Sequence, residues 1–335
     1  MPPIVVVSLV PAIANVVLII AIVIRHLLIG RRTRHVEALA ARLRLPAIEL
    51  VEGDGPIEPP ELNAAETEVF ADLLVKYGRQ LTGASRDRIV RYWESSGLLD
   101  EQVRMLQSYF PWKRASAAFT LGDVGPPHVA PLLVGLLDDP ERDVRAAAAR
   151  SLGRLGAVEA IEPLITASVR GRLPRDVADM ALLDIGSPAV ESLAALTGHA
   201  DPEVRTSALQ IIGLIGAATD IGPMVDHLVD PAASVRSASA AALGRLGASE
   251  ARDALVVALD DRVPAVRTAA ARALGQMGGQ HATEALIPIA RADSFEPARA
   301  AAQSLGRIDP ALVLRMAVDH DAGPHLLEAA DRVAL

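Results

Sequence analysis

The sequence predicts an all-α protein, an α-solenoid of about seven to eight helix pairs preceded by one N-terminal transmembrane helix. Three observations predict it. A thirteen-residue frame, VRAAAARSLGRLG from Val144, returns from Val204, Val235 and Val266, with looser copies from Lys113 and Pro297 and a period of 31 residues wherever neighbours are in register. Repetition at that length signals stacked supersecondary units rather than one globular core. Hydrophobic residues make up 51% of the chain but aromatics only 3%, so the core has to be built from Ala, Leu, Val and Ile, which suits closely packed helices. The third observation is the run Ile4–Ile24, 21 positions without a charge.

As a helix that run is roughly 31 Å long, enough to cross a bilayer core. A signal peptide would carry its positive charge ahead of the apolar stretch, whereas here Arg25, Arg31, Arg32 and Arg34 follow it. By the positive-inside rule the arginines stay cytoplasmic, which puts the N-terminus outside and the repeats inside, at the cell inner membrane. Residues 1–30 are thus the anchor and its basic flank, and residues 31–60 a juxtamembrane helix followed by a linker. Arg31, Arg32 and Arg34 suit anionic headgroups as well as a plain stop-transfer flank. Pro46, Pro56, Pro59 and Pro60, with Gly53 and Gly55, are expected to end the helix.

Residues 61–111 read as a helical cap with a degenerate first repeat from Ser85. Phe70, Tyr77, Tyr92, Trp93, Tyr109, Phe110 and Trp112, with Phe119, are eight of the nine aromatics. A terminal unit needs an atypical face, so a cap is one reading; Trp and Tyr are also frequent anchors of protein interfaces, so these residues are candidates for partner binding too.

The solenoid occupies residues 112–335. In Val144–Gly156 the apolar Val144, Ala148, Leu152 and Leu155 share a helix face, with Ala between them for close approach. Gly153 has counterparts at Gly122, Gly186, Gly213, Gly244, Gly275 and Gly306. Glycine costs a helix about 1 kcal/mol against alanine, so its return marks a place with no room for a side chain. Gly156 reads as the left-handed residue that ends the helix. Between Val144 and Val204 the gap of 60 residues admits one shortened unit, read from Val177 without an arginine.

An acidic turn precedes most units, and an arginine takes the second position at Arg114, Arg145, Arg205, Arg236 and Arg267. With carboxylates beside each, these five are expected to form a structural ladder rather than an anion-binding strip. Arg170, Arg172 and Arg175 form a local basic cluster in a longer connection, a second candidate for partner contact.

The V-R, L-G and D-P positions resemble the HEAT-repeat family, in the short bacterial form also seen in phycobilisome lyases. The resemblance covers Trp112 to the C-terminus well and Ser85–Phe110 weakly. It implies antiparallel helix pairs with second helices lining a concave face, and a protein-binding scaffold more often than an enzyme.

No chemistry-bearing motif stands out. There is no phosphate loop, no H-E-x-x-H and no nucleophile elbow. None of the eight histidines precedes a glutamate, as the iron site of the HEAT-fold deoxyhypusine hydroxylases would require. Asp319, His320, Asp321 and His325 are the densest cluster, in a turn. The absence of cysteine excludes disulfides and thiolate metal sites. Residues 113–335 carry 21 basic and 28 acidic groups, which opposes nucleic acid as a ligand. The sequence therefore predicts no catalytic residues, cofactor or metal, but a membrane-anchored cytoplasmic scaffold or adaptor with a protein partner, plausible company for a membrane-embedded enzyme or transporter. The alternative is a lyase- or modification-type enzyme acting on a protein-bound group.

Overall fold

A computed structural model describes Leu18, His26 and residues 33–53, 60–216, 220–318 and 322–334, and these are helices, 3-10 turns and loops without a strand. Chain contacts divide it into two units, residues 1–105 with 123–126, and residues 106–122 with 127–335. The run Ile4–Ile24 lies outside the described residues apart from Leu18, as do Arg31 and Arg32. Among the described residues no helix is long and apolar enough to cross a membrane.

In the first unit, α1 (33–52), α2 (Ala64–Gly78) and α3 (Ala84–Ser95) share a core, followed by α4 (Leu98–Met105). Helix α1 runs through Pro46, contrary to the expected break. Leu43, Ala47, Leu50 and Val51 are buried on one face of it. That burial, at roughly 1.5–3 kcal/mol for each large side chain, offsets a proline's helix cost of about 3 kcal/mol. Arg42 on α1 is ion-paired to Glu66, which together with Asn63 forms the capping box that starts α2.

The second unit stacks seven helix pairs. The first helices are α5 (Pro111–Val124), α7 (Arg142–Leu155), α9 (Arg175–Ile185), α11 (Pro202–Ile215), α13 (Ala233–Leu246), α15 (Pro264–Met277) and α17 (Phe295–Ile308). Their partners are α6 (Ala130–Gly135), α8 (Ile161–Val169), α10 (Val190–Leu196), α12 (Gly222–Asp226), α14 (Arg252–Ala258), α16 (Gln280–Ala292) and α18 (Pro310–Ala317), and α19 (Pro324–Ala334) follows.

The repeated glycines explain the stacking. A Cβ on Gly244 would stand 2.7 Å from the Cα of Ala273 on the next first helix, and one on Gly153 or Gly213 would stand 2.8 Å from Ala181 or Ala242. Backbones touch there. Two members of the series behave otherwise. Gly306 meets only a side-chain methyl of Val333, at 3.4 Å, and Gly186 is the left-handed residue, φ 70°, that closes α9.

Gly186 thereby corrects the frame of the shortened unit. Because Gly153 packs against Ala181, the unit starts at Pro174, not Val177, and each half of the 60-residue gap is 30 residues long. Arg175 then fills the second position, so the unit does not lack its arginine. Leu183 stands where the close-approach glycine belongs, and α9 and α11 pack less closely than α7 and α9 or α11 and α13.

Candidate functional site: a protein-binding face

Each ladder arginine ties two turns together. Arg236 donates from Nε and Nη2 to the two carboxylate oxygens of Asp261 at 2.6 and 2.9 Å, and from Nη1 to the carbonyls of Asp230 and Pro231. Arg114 does the same with Asp139, Arg205 with Asp230, and Arg267 with Asp293. Each aspartate is therefore in the turn of the next unit. It accepts a backbone N–H as well, that of Val263 at 2.8 Å for Asp261. Hydrogen bonds from Arg236 hold the Asp261 carboxyl below the ordinary aspartate range, against the opposing pull of burial. These fork-to-fork pairs commit most of each guanidinium's donors to the protein itself.

The break in the ladder falls at the basic loop. The residue 25 positions after Arg145 is Arg170, so Arg145 instead donates to the backbone carbonyl of Arg172 at 2.7 Å. Arg172 is paired to Asp138 and Arg175 to Gln210, so both act as ties between units. Arg170 is exposed, on a cleft of about 390 Å³ that it shares with Glu159 and Glu162 on the second-helix side.

The aromatic series splits in two. Phe70, Tyr92 and Trp93 are buried in the core of the first unit, with Phe70 edge-on to Tyr92 at 5.4 Å, and Tyr77 is half-buried. Tyr109, Phe110 and Trp112, in the second unit, are 90%, 50% and 67% exposed. They pack on one another, Tyr109 to Phe110 at 5.6 Å and Phe110 to Trp112 at 6.5 Å, with the Lys113 ammonium over the Phe110 and Trp112 rings at 5.7 and 5.5 Å. Arg114 fixes the segment by donating to the carbonyls of Ser108 and Tyr109. The outcome is an exposed aromatic surface held by hydrogen bonds to the repeat, and large exposed aromatics of this kind are frequent anchors of protein interfaces.

Sequence reasoning missed two larger clefts, both on the first-helix side. One, about 540 Å³, lies along α13, α15 and α17; the other, about 400 Å³, lies along α9, α11 and α13. They share Ser237, Ala241, Arg245 and Ala265 and are continuous. The signal was present in the repeat frame at its third, seventh and eleventh positions, which face this side.

Among the described residues no group of three or more metal-ligating side chains is disposed around a point. Asp319, His320 and Asp321 lie outside the described residues, and His325 packs edge-on against Phe295 at 4.6 Å.

The family described as HEAT repeats matches residues 102–182 and 221–306. The uncharacterized phycocyanin operon protein Z of Pseudanabaena tenuis is 31% identical over 130 residues; these are 36% of this chain, which spans 64% of that protein's length. Human deoxyhypusine hydroxylase in complex with glycerol is 19% identical, with 82% of this chain and 98% of that one covered and a TM-score of 0.33. The complex of CpcE and CpcF of phycocyanin lyase from Nostoc is 23% identical, with 84% and 98% covered and a TM-score of 0.28. With its period, its paired helices and its arginine–aspartate ladder, the chain carries HEAT repeats over residues 102–182 and 221–306.

Proposed function

We propose that this protein is a membrane-anchored cytoplasmic scaffold or adaptor whose repeat array holds a protein partner. The observation that carries the reading is the exposed Tyr109–Phe110–Trp112 surface. Three large aromatics are kept in water by a segment that the Arg114 hydrogen bonds hold in place, an arrangement whose gain comes on covering by a partner. Ile4–Ile24 supplies the anchor in this reading, with Arg31, Arg32 and Arg34 on the cytoplasmic side against anionic headgroups and the partner plausibly part of the same membrane complex. Small residues Ala12, Ala14 and Ala21 suit helix–helix packing within the bilayer.

Fractionation tests the anchor and co-purification tests the scaffold. The full chain should stay with inner membranes through a high-salt wash, and a chain lacking residues 1–30 should leave them; release of the full chain by salt overturns the anchor. Protease added outside intact cells should spare the repeats. Purification in mild detergent should recover a stoichiometric protein that is lost on replacing Tyr109, Phe110 and Trp112 by serine, and recovery of none overturns the scaffold.

A second reading, an enzyme of the lyase or modification type acting on a protein-bound group, draws on the identity to a protein named for a phycocyanin operon. It locates reactive groups near His320 and His325. Replacing His325 by alanine should then change the modification state of a co-purified protein, and an unchanged intact mass removes this reading.

A further inference from the structure

We propose that the paired clefts on the first-helix side form a groove for an acidic segment of a protein partner, with Arg245 and Arg272 taking its carboxylates. The inference rests on the scaffold reading and adds a ligand chemistry to it.

The groove has a floor of small side chains. Ala241 and Ala265 belong to both clefts, and Ala269 and Ala273 extend the floor of the larger one. Ser237 and Thr268 supply hydroxyls beside them. Backbones approach closely beside it at Gly213 and Gly244. A Cβ on Gly213 would stand 3.5 Å from Nη1 of Arg245, and one on Gly244 would stand 2.7 Å from Oε1 of Gln276. Position-eleven side chains therefore lie back across the preceding first helix, which directs the Arg245 guanidinium along the groove rather than away from it.

Charge distinguishes this face from the rest of the array. The third, seventh and eleventh positions of α11, α13, α15 and α17 hold Arg245, Arg272, Arg299 and Arg307 and no carboxylate. The second helices of the same region, α12, α14 and α16, carry both signs, Asp226, Asp253 and Glu284 with Arg252 and Arg291. Unlike the ladder arginines, Arg245 and Arg272 have no hydrogen bond or ion pair among the described residues, although both line the cleft. Two unpaired guanidinium groups over an alanine floor offer bidentate sites at which carboxylates bind with charge-assisted hydrogen bonds.

The ends of the groove select among anions. Asp179 lines one end and Glu296 the other. A nucleic-acid backbone, with phosphates at every step, would run onto both carboxylates. A polypeptide with acidic residues at its centre and neutral or basic ones beyond matches the order of charges. Asp179 is itself out of pattern, because every other unit places a fully buried Ala or Leu at the sixth position of the frame, as in Ala240 and Ala271.

Site-directed photo-crosslinking in cells tests the proposal, with the crosslinking amino acid placed at Gln276 in the groove and, separately, at Trp112 on the aromatic surface. Crosslinks from Gln276 should map by mass spectrometry to protein segments with clustered Asp or Glu. A synthetic peptide of the mapped segment should bind the full chain in detergent about tenfold or more tightly than it binds the Arg245→Gln/Arg272→Gln double variant, and lose affinity with salt. Crosslinks from Gln276 to nucleic acid, to segments without clustered acids, or to nothing overturn the groove. If Trp112 still captures a protein in those cases, the scaffold reading survives the loss; if neither position captures one, both fail.

Discussion

Arg236 and Asp261, twenty-five residues apart, meet in a two-bond fork with side chains 8% and 12% exposed. The same guanidinium holds two carbonyls of the preceding turn, so one side chain serves three separate groups. Arg236→Ala leaves a sheltered carboxylate and two carbonyls without their donor, and should destabilise the protein by about 3 kcal/mol in urea unfolding. Asp261→Asn should cost less, because the amide still accepts one of the two hydrogen bonds. A double-mutant cycle should give a coupling of the order of 1–3 kcal/mol, and additive effects would refute the fork as a unit.

The ladder also sets the acid limit. The carboxyls of Asp261 and Asp293 are held below the ordinary aspartate value of 3.8, chiefly by their arginine hydrogen bonds. Asp139 and Asp230 are lowered too, burial pulling the other way and being overcome by Arg114 and Arg205. A depressed folded-state pKa means that the unfolded chain binds protons first. The stabilisation is therefore complete above the unfolded value of 3.8 and is lost as pH falls through the lower, folded values. Thermal melts should give a flat Tm from neutral pH to about pH 5 and a steep fall below about pH 4. A fall beginning near pH 6 would assign the transition to histidine instead.

Glycines at one position of the frame should differ sharply in tolerance. At Gly244 a side chain meets the backbone of Ala273 at 2.7 Å, so Gly244→Val should cost about 3 kcal/mol or leave the array unfolded. At Gly306 the nearest atom is a methyl at 3.4 Å, ordinary contact, so Gly306→Ala should be neutral or stabilise by up to about 1 kcal/mol through helix propensity. Equal responses at the two sites would show that close approach is not what the glycine serves.

These two glycines also mark how far the repeat was readable. Period, helix pairing and the arginine and aspartate positions depend on local spacing, which a sequence displays directly. The unit at Pro174 did not, because Gly186 fits two registers, as the tenth residue of one frame or the thirteenth of another, and only the contact of Gly153 with Ala181 decides between them. Helix α1 continues through Pro46 for a similar reason, since propensity is local whereas the burial of Leu43 and Leu50 is not. The groove stayed hidden because its arginines are ordinary helix residues until the stack assigns them one face. Phe70 and Trp112 look alike in the sequence; tertiary packing buries the first and leaves the second exposed.

That separation yields the last prediction. Replacing Tyr109, Phe110 and Trp112 together by serine removes side chains with little core contact, so the urea midpoint should move by no more than about 0.5 kcal/mol of stability per site. Trp93→Ala, in the core at 2% exposure, should cost about 3–5 kcal/mol. If the aromatic surface anchors a partner, the triple variant keeps its fold and loses co-purification, whereas the folded fraction of a core variant still binds. Circular dichroism and pull-down on the same preparations separate the two. A triple variant that unfolds would place these rings in the stability of the array, and one that retains its partner would move the anchor elsewhere on the surface.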